Sequence, residues 1–104
     1  MEKKEKVVFR KKAKLAIRDI AFYIELKGYP ETAEKFAEKL VQFGNFLSVF
    51  PDKYPICKQP QFAKRNMHCA VFHKNYIFVF RSEKTELVIY NIIHCNTSPV
   101  FHSV

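Results

Sequence analysis

The sequence holds no tryptophan, two glycines and three cysteines in 104 residues. It contains no CxxC, HxH or HExxH, and Glu83 and Glu86 are its only carboxylates after Asp52. A zinc site ordinarily needs three or four convergent ligands, so the shortage argues against a metal, and no cofactor is expected. Cys57, Cys69 and Cys95 make an odd count. Free thiols and a reduced, cytoplasmic setting are the default reading. No apolar run nears the ~18 residues that span a bilayer, and the opening MEKKEK has no apolar signal region. No membrane partner is therefore expected.

Acidic residues are also in short supply. Eighteen Lys+Arg stand against ten Asp+Glu, for a net charge of +8 and a pI near 9.5. That excess suits an acidic partner, such as nucleic acid or an acidic protein segment. Eleven Phe, five Tyr and a 48% hydrophobic fraction supply a core and exclude intrinsic disorder. The length fits one domain over residues 1–104, with 1–5 frayed and 95–104 as a tail.

The spacing predicts a short strand at 6–10, KVVFR. From Lys11 the period becomes helical, with Ala13, Ile17, Ile20 and Ile24 on one face and Gly28 as the C-terminal cap. YPETAEKFAEKL starts a second helix: Pro30 suits the first turn, and Glu31 and Glu34 suit its positive end. Ala33, Phe36, Ala37, Leu40, Gly44 and Leu47 form its apolar stripe, widened by Phe43 and Phe46, and Pro51 ends it. The short linker makes the pair an antiparallel hairpin. Residues 51–65, with three Pro and four basic residues, read as an extended loop. NMHCAVFH (66–73) and YIFVFR (76–81) are strands joined by the two-residue turn Lys74–Asn75. SEKT (82–85) turns into ELVIYNIIH, apolar on both faces and so central. The fold class is α+β, in the order β-α-α-β-β-β. An N-terminal helical hairpin packs on a mainly antiparallel small sheet. One face of the central strand needs the helices, and something else must cover part of the other.

Few residues offer chemistry. His68 and His73 lie five apart in one strand, on opposite faces. Cys69 alternates with Val71 as a small core hydrophobe. A metal-free ribonuclease needs a base, an acid and cations for the phosphate charge. His94, His73, Tyr90, Lys58, Lys64, Arg65 and Arg81 are the groups available.

Three stretches, YPETAEKFAEKL, LSVFP and HCAVFHKNYIFVFRSEKTELVIYNIIHCNTSP, give the chain a resemblance to the RelE/ParE toxin superfamily of type II toxin–antitoxin modules, over about residues 6–99. The resemblance implies two branches. RelE-like members are ribosome-dependent messenger endoribonucleases. They carry an Arg after the Tyr that opens the third strand, here Ile77, and another two residues beyond His94, here Asn96. ParE-like members inhibit DNA gyrase by binding, and Tyr76-Ile77-Phe78 with Ile92-Ile93-His94 is closer to this branch. The resemblance thus implies a plasmid-stabilisation type toxin that binds gyrase. The alternatives are a ribonuclease acting on ribosome and mRNA, and a diverged toxin that only binds its antitoxin. All three imply an acidic antitoxin. The candidate partner-binding residues are Lys58, Lys64, Arg65, Arg81, His94 and Asn96. The catalytic candidates, for a ribonuclease, are His94, Arg65, Arg81, Tyr90 and Lys58.

Overall fold

The computed structural model describes residues 6–49 and 53–94. Strand β1 (Lys6–Phe9) leads through Arg10 into helix α1 (Lys11–Leu26). Apolar side chains at helical spacing put Ala13, Ala16, Ile17 and Ile20 on one face, against the sheet. The helix stops at Gly28, whose φ of +94° lets its N–H reach the Glu25 carbonyl at 2.9 Å. Helix α2 (Pro30–Phe46) starts with Pro30 in its first turn and Glu31 at the positive end of its dipole.

Helix α2 ends before Pro51, a residue outside the described ones. The amides of Leu47, Ser48 and Val49 turn back to the carbonyls of Gly44, Asn45 and Phe46, and the Ser48 hydroxyl donates to the Asn45 carbonyl. This tightened turn uses up the helix's last free acceptors. Leu47 is fully buried, as its place in the apolar stripe requires, whereas Phe46 is 53% exposed and does not widen the stripe.

Among the described residues, four strands form one sheet in the order β1-β4-β3-β2, where β2 is His68–Phe72, β3 Tyr76–Glu83 and β4 Glu86–His94. β1 runs parallel to β4, and the other pairs are antiparallel. β4 is central, as its two apolar faces require. The β2–β3 turn is longer than the sequence suggests. His73 and Lys74 both take positive φ, so the turn is the three residues His73–Asn75.

The helices cover one face of the sheet. Ala13, Leu40 and Leu47 meet Phe78, Phe80, Leu87, Ile89 and Ile92 there. Each such Leu, Ile or Phe contributes about 1.5–3 kcal/mol on burial. Phe43 meets Phe72 at a tilt and Phe78 edge-to-face, with ring centroids 4.9 and 5.0 Å away. Gly44 lets α2 approach β1 and β4, since a Cβ there would lie 2.6 Å from Phe9 Cζ.

The other face is covered by the segment that the sequence presents as an extended loop. Its Pro60–Ala63 stretch is a short helix, α3, carrying Phe62 onto Met67, Val79, Ile77 and Ile93. Ile56 forms a bridge with His68, so this segment also pairs with the free edge of β2. The Cys57 amide donates to Met67 O at 2.8 Å, and the Cys69 amide to Pro55 O at 3.0 Å. That pairing brings the Cys57 and Cys69 Cα atoms to 5.0 Å, and the two form a disulfide. The expectations of free thiols and of Cys69 as a plain core hydrophobe are therefore corrected for this pair. Val71 is 59% exposed and belongs to no core.

Candidate functional site

A β-bulge decides where the chemistry of β4 points. Phe80 pairs with Ile89 and Val79 with Asn91, which leaves Tyr90 as an extra residue. Simple alternation would put Tyr90, Ile92 and His94 on one face. The bulge shifts the register by one. Ile92 joins the helix-side core, while Tyr90 packs with the Met67 and Phe62 cluster on the opposite face. Asn91 supports the irregularity by accepting the Ile92 amide on its own side-chain oxygen at 2.8 Å.

The candidate residues consequently fall into two groups. Tyr90 is the centre of the first. The guanidinium carbons of Arg10, Arg65 and Arg81 lie 5.0, 5.5 and 5.9 Å from its ring centroid. Tyr90 donates its hydroxyl to the Glu83 carboxylate, which also receives Arg81 at 2.7 Å. Another nitrogen of Arg81 donates to the Arg65 carbonyl at 2.8 Å, tying β3 to the end of α3. The hydroxyl of Tyr90, and then the Arg81 guanidinium, hold the Glu83 carboxyl below its ordinary value of 4.5. Glu83 in turn holds the Arg81 proton more firmly. Beside this cluster opens a cavity of about 300 Å³ lined by Arg10, Lys11, Lys12, Arg65 and Tyr90.

The second group lies at the far end of β4. His94 meets the Tyr76 ring edge-on at 4.7 Å. With Asp19, Ile20 and Tyr23 of α1, these two line a cavity of about 310 Å³. Burial, and then the neighbouring Tyr23, push the Tyr76 hydroxyl above its usual range. His94 is four residues beyond Tyr90, roughly 13 Å along a strand, and on the opposite face of the sheet. A general acid or base must come within about 3 Å of the proton it moves. Tyr90, Arg65 and Arg81 are brought together, and His94 is not with them.

The remaining candidates are scattered. Lys58 and Lys64 are exposed on the covering segment, and neither lines the Tyr90 cavity. His68 donates its Nδ1–H to the Tyr54 carbonyl, 2.6 Å away, and stacks on Phe80. His73 sits in the turn against Phe36. Asn96 lies outside the described residues. Among the described residues, no group of three or more His, Cys, Asp or Glu could hold a metal ion, and no helix is long and apolar enough to cross a membrane.

Sequence reasoning missed Arg10, Lys11, Lys12 and Glu83. Three consecutive basic residues at a strand-to-helix junction were the available signal. Their relevance depends on topology, because the parallel β1–β4 pairing sets Arg10 beside Tyr90. The Arg10 amide donates to Ile89 O at 3.0 Å.

A family profile described as "ParE toxin of type II toxin-antitoxin system, parDE" matches residues 7–99. A sequence search of characterised proteins gave no match. Among solved structures, the fold is similar to a chain of the chromosomal ParDE toxin–antitoxin system from P. aeruginosa. The TM-score is 0.75 at 16% identity, over 88% of this chain and 96% of that one. At that identity the structural likeness speaks for the fold, and the profile speaks for the family. The chain belongs to the ParE toxin family of type II toxin–antitoxin systems.

Proposed function

We propose that this chain is a single-domain cytoplasmic toxin that acts by binding and inhibiting DNA gyrase, and that an acidic antitoxin neutralises it. One observation favours binding over messenger cleavage. The bulge at Tyr90 separates the acid–base candidate His94 from the cations Arg65 and Arg81. Phosphoryl chemistry needs base, acid and charge stabilisation around one phosphate. The residue that opens β3 after Tyr76 is Ile77, which offers no charge at all.

The antitoxin reading rests on family membership together with the charge of +8. Arg65 and Arg81 lie on the sheet face away from the helices, and Lys58 and Lys64 are exposed on the segment covering that face. Lys58 and Lys64 would receive an acidic segment that orders as it binds. His94 extends the proposed contact to the far end of β4, and Asn96, outside the described residues, is proposed as part of it.

The test is induced expression in a bacterial host. A DNA-damage reporter and the integrity of full-length transcripts are followed together. The proposal expects growth arrest with a damage response and intact transcripts. Rapid transcript cleavage without damage would replace it with the ribonuclease reading. Absence of toxicity would leave only antitoxin binding.

A further inference from the structure

The cavity beside Tyr90 is unlike a protein-docking groove. Its lining is four cationic side chains and one aromatic ring, with no aliphatic residue. Peptide partners usually bury apolar or aromatic anchors in a desolvated pocket, and this cavity offers an anchor no apolar wall. Three guanidiniums already crowd the Tyr90 ring. A nucleobase would therefore find no open aromatic surface to stack on.

The charge is also poorly balanced. Among the described residues, the ion pair here is Arg81–Glu83. It leaves Arg10, Lys11, Lys12 and Arg65 facing the cavity without a salt-bridged carboxylate. The first turn of α1 carries no acidic residue either. Arg81 is spoken for by Glu83 and by the Arg65 carbonyl, and it does not line the cavity. Arg10 and Arg65 remain to act as forks for an anion with several oxygens.

We infer that this cavity binds the phosphodiester backbone of nucleic acid, without reading its sequence. Arg10 and Arg65 contact phosphate oxygens, and Lys11 and Lys12 add charge at the rim. Phosphate contacts of this kind supply affinity and strong salt dependence, and carry no base information. The inference stands apart from the choice of gyrase as target, because the site would hold DNA with no enzyme present.

The test uses the purified full-length chain and a fluorescein-labelled 20-bp duplex of mixed sequence. Anisotropy titrations run at several NaCl concentrations from 50 to 200 mM. The duplex binds the native chain, and each phosphate contact contributes about 0.9 to the slope of log affinity against log salt. The R10Q/R65Q double variant is expected to lower that slope by about 2 and to weaken binding at least tenfold at 50 mM. A matched double variant on the outer face of α2, K35Q/K39Q, removes the same charge and should change binding less than about threefold. Melting curves check that each variant folds. K11Q/K12Q, altered only at exposed positions, gives a second reading in the same direction.

Equal loss in the site and control variants would overturn the site, because diffuse charge would then explain the binding. No binding by the native chain at 50 mM salt would overturn it as well. Displacement of the duplex by micromolar ATP, or by low-millimolar inorganic phosphate at matched ionic strength, would overturn the backbone assignment in favour of a small phosphate ligand.

Discussion

Removing the Cys57–Cys69 crosslink should cost this small fold a large part of its stability. The two residues are 12 apart in sequence. Closing a loop of that size in the unfolded chain removes entropy worth about 3 kcal/mol. The native state keeps its other ties to β2, since the Cys57 and Cys69 amides are hydrogen bonded to Met67 and Pro55. The reduced protein should therefore still fold, with a melting temperature lower by roughly 12–20 °C. Circular dichroism melts of the oxidised protein, the protein in excess phosphine reductant, and C57A/C69A measure the shift directly. Thiol titration in denaturant is the companion measurement. Protein purified without reductant should show one reactive thiol, Cys95, out of three cysteines. Three reactive thiols, or reduced and oxidised melts within about 2 °C, would refute the reasoning. The second result would mean that packing and the hydrogen bonds to β2 hold the covering segment without help from the crosslink.

Two further perturbations test the helix–sheet contact and the Tyr90 cluster. Gly44→Val should lose about 1–3 kcal/mol in urea unfolding, through overpacking. Its new Cβ would lie 2.6 Å from Phe9 Cζ and 2.8 Å from Ile89 Cδ1, and unchanged stability would contradict the close approach. At the Tyr90 cluster, Glu83 titrates below its ordinary 4.5 in the folded chain. The folded state thus binds that proton less readily than the unfolded state. The associated stability is complete above about pH 4.5 and is lost as pH falls through the depressed value. Tyr90→Phe removes the hydroxyl that contributes most to the depression, so its unfolding midpoint should fall less steeply than the native one between roughly pH 5 and 3. Parallel curves for the two proteins would contradict this.

The helical hairpin was legible because each of its boundaries has a local cause. Pro30 opens α2, and Gly28 closes α1 through a backbone angle suited to glycine. The central place of β4 was legible from its two apolar faces. The bulge was not, since Leu87 to His94 reads as an uninterrupted strand. The extra residue becomes visible only against its partners Val79 and Phe80. The disulfide was hidden for a related reason. Cys57 and Cys69 match no spacing motif, and they meet because residues 55–57 pair with the edge of β2. Arg65, Arg81 and Tyr90 were named from residue type alone, and the sheet does gather them. Arg10 joins them through the parallel β1–β4 pairing, a contact between residues 80 apart in the chain that no local pattern encodes.

Action on gyrase by binding is the proposal that most needs a direct measurement for this ParE-family chain. A supercoiling assay with purified gyrase, relaxed plasmid, ATP and increasing amounts of the purified chain tests it most directly. Dose-dependent loss of supercoiling is expected, with cleaved plasmid appearing after protein digestion. Full supercoiling at a large molar excess of a folded chain, alongside cleavage of messenger on translating ribosomes, would contradict it.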